Sequence, residues 1–202
     1  ACLMTNSDQS DGAVLIATLG TEPQVVTATV DLLLNGGAAL EKVILLHTVS
    51  PGSQVEAALG ELQKAFLEPP YAGKLAFQSQ PLVDRRGNPL ADTATPADAD
   101  DAFRCLYNTV RQVKRQGRRV HLSITGGRKP LALLGMTAAQ LLCVPPVGGD
   151  EGDHLWYLYS AGEVLASKRL HPQPGDQVQL VPIPFIPWSQ VSPVLTDLGE
   201  IE

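Results

Sequence analysis

The sequence predicts an α/β fold, an open and mostly parallel sheet with helices on both faces. Three observations lead there. Short apolar runs of strand length alternate with longer stretches whose apolar residues recur at helical spacing. Glycine and proline punctuate the junctions between them. The chain has 202 residues, 44% hydrophobic and 18% charged, which suits one domain with a core needing no disulfide or metal staple and excludes a disordered tail or a coiled coil.

Taken in order, Val14 to Leu19 (VLIATL) reads as a buried strand. Pro23 suits the first turn of a helix, with Thr21 or Glu22 as its cap. Val25, Val26, Thr29, Val30, Leu32 and Leu33 form that helix's apolar face, and Gly36-Gly37 stops it. Lys42 to Leu46 is the second strand, Gln54 to Phe66 a helix with Val55, Leu59, Leu62 and Phe66 on one side, and Leu75 to Val83 a third strand. Residues 84–99 are rich in Pro, Asp and Thr and read as a loop. A helix is expected over Ala102 to Gln116, a strand over Arg119 to Ile124, a helix from Gly126-Gly127 to about Leu142, and a last inner strand over His154 to Tyr159. The proline-rich tail cannot supply central strands and belongs at an edge or against a partner. The arrangement is Rossmann-like.

Net charge is −6. An acidic surface does not bind long nucleic acid, although it leaves room for a local basic pocket. Cys2, Cys105 and Cys143 are far apart and show no metal or disulfide spacing, which fits a reduced, cytoplasmic compartment. No apolar run reaches 18 residues, so no membrane partner is expected. Residues 1–13 are expected to be disordered or foreign to the native chain, with Met4 a candidate start. Residues 14–190 then form the domain and 191–202 a tail.

In open α/β sheets, ligands bind outside the carboxyl ends of the strands. Two strand-to-helix turns there are unusual: Thr18-Leu-Gly-Thr-Glu-Pro-Gln24 and Ser123-Ile-Thr-Gly-Gly-Arg-Lys-Pro130. Both place small residues and backbone N–H groups at a helix N-terminus, which suits a phosphate. Glycine there lets the backbone approach a ligand. Taken alone, the first turn reads as a capped helix start and the second as a tight turn with solvated cations. Arg128 and Lys129, however, oppose the helix dipole, and anion binding would explain that cost. Neither GxxxxGK[ST] nor GxGxxG is present. His47 ends the second strand and could face the same crevice, and His121 reads as core or edge. The Arg111–Arg119 basic cluster suits a helix C-terminus, and Asp150-Glu-Gly-Asp153 reads as a solvated turn.

Gly20-Thr-Glu-Pro-Gln-Val-Val-Thr27 after a strand resembles the first signature of CARF domains, the CRISPR-associated Rossmann-like sensors of cyclic oligoadenylates. Ser123-Ile-Thr-Gly-Gly-Arg-Lys129 before an apolar helix resembles the second. The similarity is to the group that opens with a "TLGTSPQVVT"-like run and carries "GGRK". It extends from residue 14 to about 187, with Leu90 to Thr95 and Ile183-Pro-Phe185 included.

The resemblance implies a two-fold homodimer holding a ring of adenylates, usually four, across its axis. The ligand-binding residues it implies are Thr18, Gly20, Thr21, Glu22, Pro23, Gln24, Thr125, Gly126, Gly127, Arg128 and Lys129. Some such proteins switch on an attached domain. Others, the ring nucleases, cut the ring without metal or cofactor, a ribose 2′-OH attacking the adjacent phosphodiester to leave a 2′,3′-cyclic phosphate. With no second domain legible in 202 residues, the cutting role is favoured. Lys129, Thr21 and Glu22 are its candidate catalytic residues, and turnover is expected to be slow because neither motif holds a histidine. Glu22 stands where the family often has Ser. Its expected role is first a helix-cap carboxylate, otherwise a selectivity contact or a base for the 2′-OH.

Overall fold

The computed structural model describes residues 12–147 and 151–191. In chain order they form β1 (Ala13–Thr18), α1 (Gln24–Asn35), β2 (Leu40–His47), α2 (Gln54–Leu67), β3 (Ala76–Pro81), α3 (Pro96–Arg115), β4 (Arg119–Ser123), α4 (Lys129–Leu142), β5 (His154–Ser160), α5 (Gly162–Ala166), β6 (Val178–Pro182) and α6 (Trp188–Val191). One sheet runs in the order β3-β2-β1-β4-β5-β6. Its first five strands are parallel, and β6 pairs antiparallel with β5.

Side chains alternate across the sheet, and both faces are apolar. Val14 and Ile16 join Ile44, Leu46, Val120 and Leu122 in a core completed by Leu106 and Val110 of α3 and Leu131 and Ala138 of α4. Ala13, Leu15 and Ala17 turn the other way, to Val43 and Leu45, and are covered by Val26 and Val30 of α1 and Leu62 and Phe66 of α2. The predicted open α/β sheet with helices on both faces is therefore observed, and the proline-bearing β6 lies at its edge.

Three local expectations need correction. Helix α3 starts at Pro96, six residues before Ala102. Thr95 and Asp98 form a reciprocal capping box and Pro96 occupies the first turn, so part of the apparent loop is a helix start. Helix α1 is capped by neither Thr21 nor Glu22; Pro23 takes the cap position without a side-chain bond. Asp153 is not solvated but buried. It accepts the N–H groups of Val120 (2.7 Å) and Val144 (2.8 Å) and the Lys114 ammonium (2.6 Å). Asp150 lies outside the described residues.

The basic cluster also disperses into separate pairs: Lys114 with Asp153, Arg118 with Glu41 and Arg119 with Glu151. Cys105 and Cys143 are buried free thiols, and Cys2 falls outside the described residues. Among the described residues no helix is long and apolar enough to cross a membrane.

The segment between β5 and β6 is fastened along α1. Gln24 Nε2 donates to Leu165 O (3.1 Å), Thr27 Oγ1 to Leu170 O, and His171 Nδ1 meets the Asp31 carboxylate at 2.8 Å. Tyr71, fully buried, donates to the same carboxylate at 2.6 Å.

Candidate functional site

The sheet order reverses between β1 and β4. From β1 the chain runs outward to β2 and β3; from β4 it runs the other way. A crevice forms at such a point because the two connections leave to opposite faces. Both unusual turns start there, at the carboxyl ends of neighbouring strands.

The turns are bonded to each other. Thr18 Oγ1 donates to Gly126 O at 2.5 Å. A Cβ on Gly126 would lie 1.9 Å from Thr18 O, and one on Gly20 would lie 2.8 Å from Gly127 N. Gly127 has φ +83, a left-handed conformation that a side chain would strain. Two of these glycines thus exist so that backbone can pass against backbone. Both would-be side chains point at the sister turn.

Beside the joined turns lies a crevice of about 460 Å³. Leu19, Gly20 and Thr21 line it from the first turn and Gly127, Arg128 and Leu131 from the second. Thr48, Ser50, Ser53 and Val55 come from the β2–α2 connection, and Ala91 and Asp92 from the loop before α3.

Of the predicted residues, Gly20, Thr21, Gly127 and Arg128 reach this lining. Thr18 and Gly126 are buried behind it. The Thr125 hydroxyl accepts Leu158 N–H at 2.6 Å and ties β4 to β5. Pro23 and Gln24 are buried at the start of α1. Lys129 is exposed, the first residue of α4, outside the lining. His47 is also outside it, with Nδ1 3.0 Å from Thr48 O.

Glu22 of the first turn and Arg128 of the second are already paired. Arg128 grips Asp92 through Nε (3.0 Å) and Nη2 (2.5 Å). The N–H of Thr93 and then the Arg128 guanidinium hold the Asp92 carboxyl below its ordinary range. Glu22 accepts two bonds from Lys168 Nζ, at 2.6 and 2.7 Å, and a third from Gln24 Nε2 at 2.5 Å. The Lys168 hydrogen bond is the main reason that the Glu22 carboxyl is lowered as well.

Sequence reasoning missed Thr48, Ser50, Ser53, Asp92 and Lys168. The hydroxyl-rich run Thr48-Val-Ser-Pro-Gly-Ser53 follows a strand parallel to β1 and was a usable signal. Lys168 had none, being 146 residues from Glu22. The crevice can therefore offer hydroxyls, turn N–H groups and one guanidinium that a ligand must share with a carboxylate. Its lining holds neither histidine nor thiol.

The sequence profile of the family described as CRISPR-associated protein NE0113 matches residues 22–200. No curated protein matches the chain. Among solved structures, Can2 from Sulfobacillus thermosulfidooxidans, in complex with cyclic tetra-adenylate, aligns with TM-score 0.43 and 14% identity over 74% of this chain and 32% of its own. A type III CRISPR defence DNA nuclease activated by cyclic oligoadenylate aligns with TM-score 0.43 and 18% identity over 74% of this chain and 19% of its own. Enterococcus italicus Csm6, bound to cyclic hexa-2′-fluoro-hexa-dAMP, aligns with TM-score 0.47 and 12% identity over 89% of this chain and 43% of its own. The alignments span less than half the length of each of these proteins.

Proposed function

The chain belongs to the CRISPR-associated NE0113 family, and from that premise we propose that it binds a cyclic oligoadenylate, of four adenylates by preference, and slowly cleaves it. One observation carries this reading. The two CARF-like turns, 108 residues apart, are joined by the Thr18–Gly126 bond at the sheet's switch point, beside a crevice rich in hydroxyls and turn N–H groups. Adenylate phosphates would take those N–H groups and compete with Asp92 for Arg128.

A ring of this kind needs two copies of the site, so the working unit is a homodimer in the cytoplasm. Exposed apolar residues support it: Leu133 on α4, and Ile186, Trp188 and Val191 at α6, which packs against α4. In the dimer, Lys129 at the head of α4 would meet the ring and neutralise charge building up on the scissile phosphate. Thr21 would steady that phosphate, and bending of the ring would bring 2′-O, phosphorus and 5′-O into line. The 2′-oxygen loses its proton and bonds to phosphorus, the P–O5′ bond breaks, and the 5′-oxygen is protonated, leaving a linear product with a 2′,3′-cyclic phosphate. Glu22 is a poor base here because Lys168 holds its carboxyl low.

A non-cleaving sensor is the second reading. The pairing of Glu22 and Arg128 and the lack of histidine in the lining favour it. Incubation with labelled cyclic tetra-adenylate in EDTA separates the two. Linear product with a cyclic-phosphate end supports cleavage; tight binding with an intact ring after hours leaves the sensor; neither binding nor cleavage removes both.

A further inference from the structure

A second, roomier cavity lies away from the two turns. It holds about 720 Å³ and opens at the other end of the sheet, where β4 and β5 begin. That size falls within the roughly 300–1,000 Å³ of small-molecule sites. Nothing in the reading above uses it.

One wall is aromatic. Trp156 Nε1–H donates to His121 Nδ1 at 2.9 Å, and the two rings lie 19° from parallel with centroids 6.1 Å apart. Such a bond runs within the ring planes, so indole and imidazole sit side by side, much as bases do in a pair. His154 lies parallel to both, 4.9 Å from Trp156 at 4° and 5.3 Å from His121 at 14°. Because neighbouring parallel strands carry these residues in register, the three rings are fixed before any ligand arrives.

The wall is also uncharged at neutral pH. Burial lowers the His121 pKa to about 4, and burial is the main cause of the lowering at His154. With Nδ1 accepting from Trp156, the neutral His121 carries its proton on Nε2. The cavity's one arginine, Arg119, is bonded to Glu151 at the rim, so the site makes no net demand for an anion. Leu33 and Leu180 supply apolar surface across from the rings.

We propose that this cavity is a second binding site, for an uncharged, planar heteroaromatic ring of the nucleobase or nucleoside class. Parallel π surfaces reward a flat ring, and the imidazole and rim groups can meet its polar edge. The absence of a free cation selects against phosphorylated forms, which distinguishes this site from the crevice at the turns.

Adenosine is the probe. The chain has two tryptophans, so the indole region of a ¹⁵N–¹H spectrum holds two signals, Trp156 and Trp188. Adenosine should shift the Trp156 signal saturably, with a Kd at or below about 1 mM, and leave Trp188 in place. AMP should bind at least fivefold more weakly. Ala39→Phe, at the exposed mouth and away from the core, should raise the Kd at least tenfold with unfolding unchanged. Arg128→Ala, at the other end, should leave the shift intact. No saturable shift at Trp156, AMP binding as tightly as adenosine, or a shift that survives Ala39→Phe but vanishes with Arg128→Ala would each overturn the proposal. The outcome does not depend on whether cyclic oligoadenylate binds at the turns.

Discussion

The two strand-to-helix turns solve one electrostatic problem with opposite signs. The first brings a carboxylate, Glu22, to a helix start and neutralises it with Lys168 from the segment before β6. The second brings a guanidinium, Arg128, to a helix start and neutralises it with Asp92 from the loop before α3. In each case the partner comes from a distant loop, and in each case it is partly exposed. What distinguishes them is which side a phosphate would join: it competes with Asp92 at the second turn and is repelled by Glu22 at the first unless Lys168 stays in place. The pairs therefore set how much net charge each turn can show to a ligand.

The largest expected effect tests whether the turns act as one unit. Gly126→Ala puts a methyl into Thr18 O and should destabilise the protein by about 3 kcal/mol, with ligand binding lost. Gly20→Ala, with 2.8 Å available, should cost less. Denaturant unfolding of both ranks them; equal, small losses would mean that the turns are not mutually supported.

Next comes Lys129→Ala. On the proposed mechanism it reduces single-turnover cleavage by roughly 100-fold or more while unfolding stays within about 0.5 kcal/mol of the parent. Cleavage at the parent rate would take Lys129 out of the reaction.

The second-turn pair is expected to respond in opposite directions. Arg128→Ala should weaken ring binding about tenfold, and Asp92→Asn should tighten it by freeing the guanidinium. Both should change stability by no more than about 1 kcal/mol, since the pair is exposed. At the first turn, Lys168→Ala should weaken binding severalfold at low salt, Glu22→Gln should tighten it, and the double variant should return near the parent value. Calorimetric titration at two salt concentrations reads all five, and added salt should shrink every difference.

The smallest effect is on pH. The Glu22 and Asp92 carboxyls are lowered in the fold, so their contribution is complete above the ordinary carboxylate pKa near 4 and fades as pH falls through the folded value. Glu22→Gln should flatten that acid limb slightly. His121 adds a separate slope. Its folded pKa of about 4 lies below the ordinary value near 6.5, so stability falls as pH drops from 6.5 towards 4, and His121→Phe should reduce the slope.

The sheet was legible because its signal is local. Val14 to Leu19, Lys42 to Leu46 and Arg119 to Ile124 are apolar runs, and each strand begins or ends within two residues of the expectation. The start of α3 was missed because Thr95-Pro-Ala-Asp98 looks like a loop unless its capping geometry is weighed. A third of the crevice lining was legible for the same local reason: Gly20, Thr21, Gly127 and Arg128 stand in recognisable turns.

Amino-acid order alone determined the alternation of elements, the two glycine-bearing turns and the placing of prolines on an edge, because each depends on residues within a few positions of one another. Only the folded chain decided who neutralises Glu22 and Arg128, that Gly126 serves Thr18 and that His121 faces Trp156. Those contacts join residues 35 to 146 apart, and no period or turn chemistry encodes which distant loop will arrive beside a given strand end.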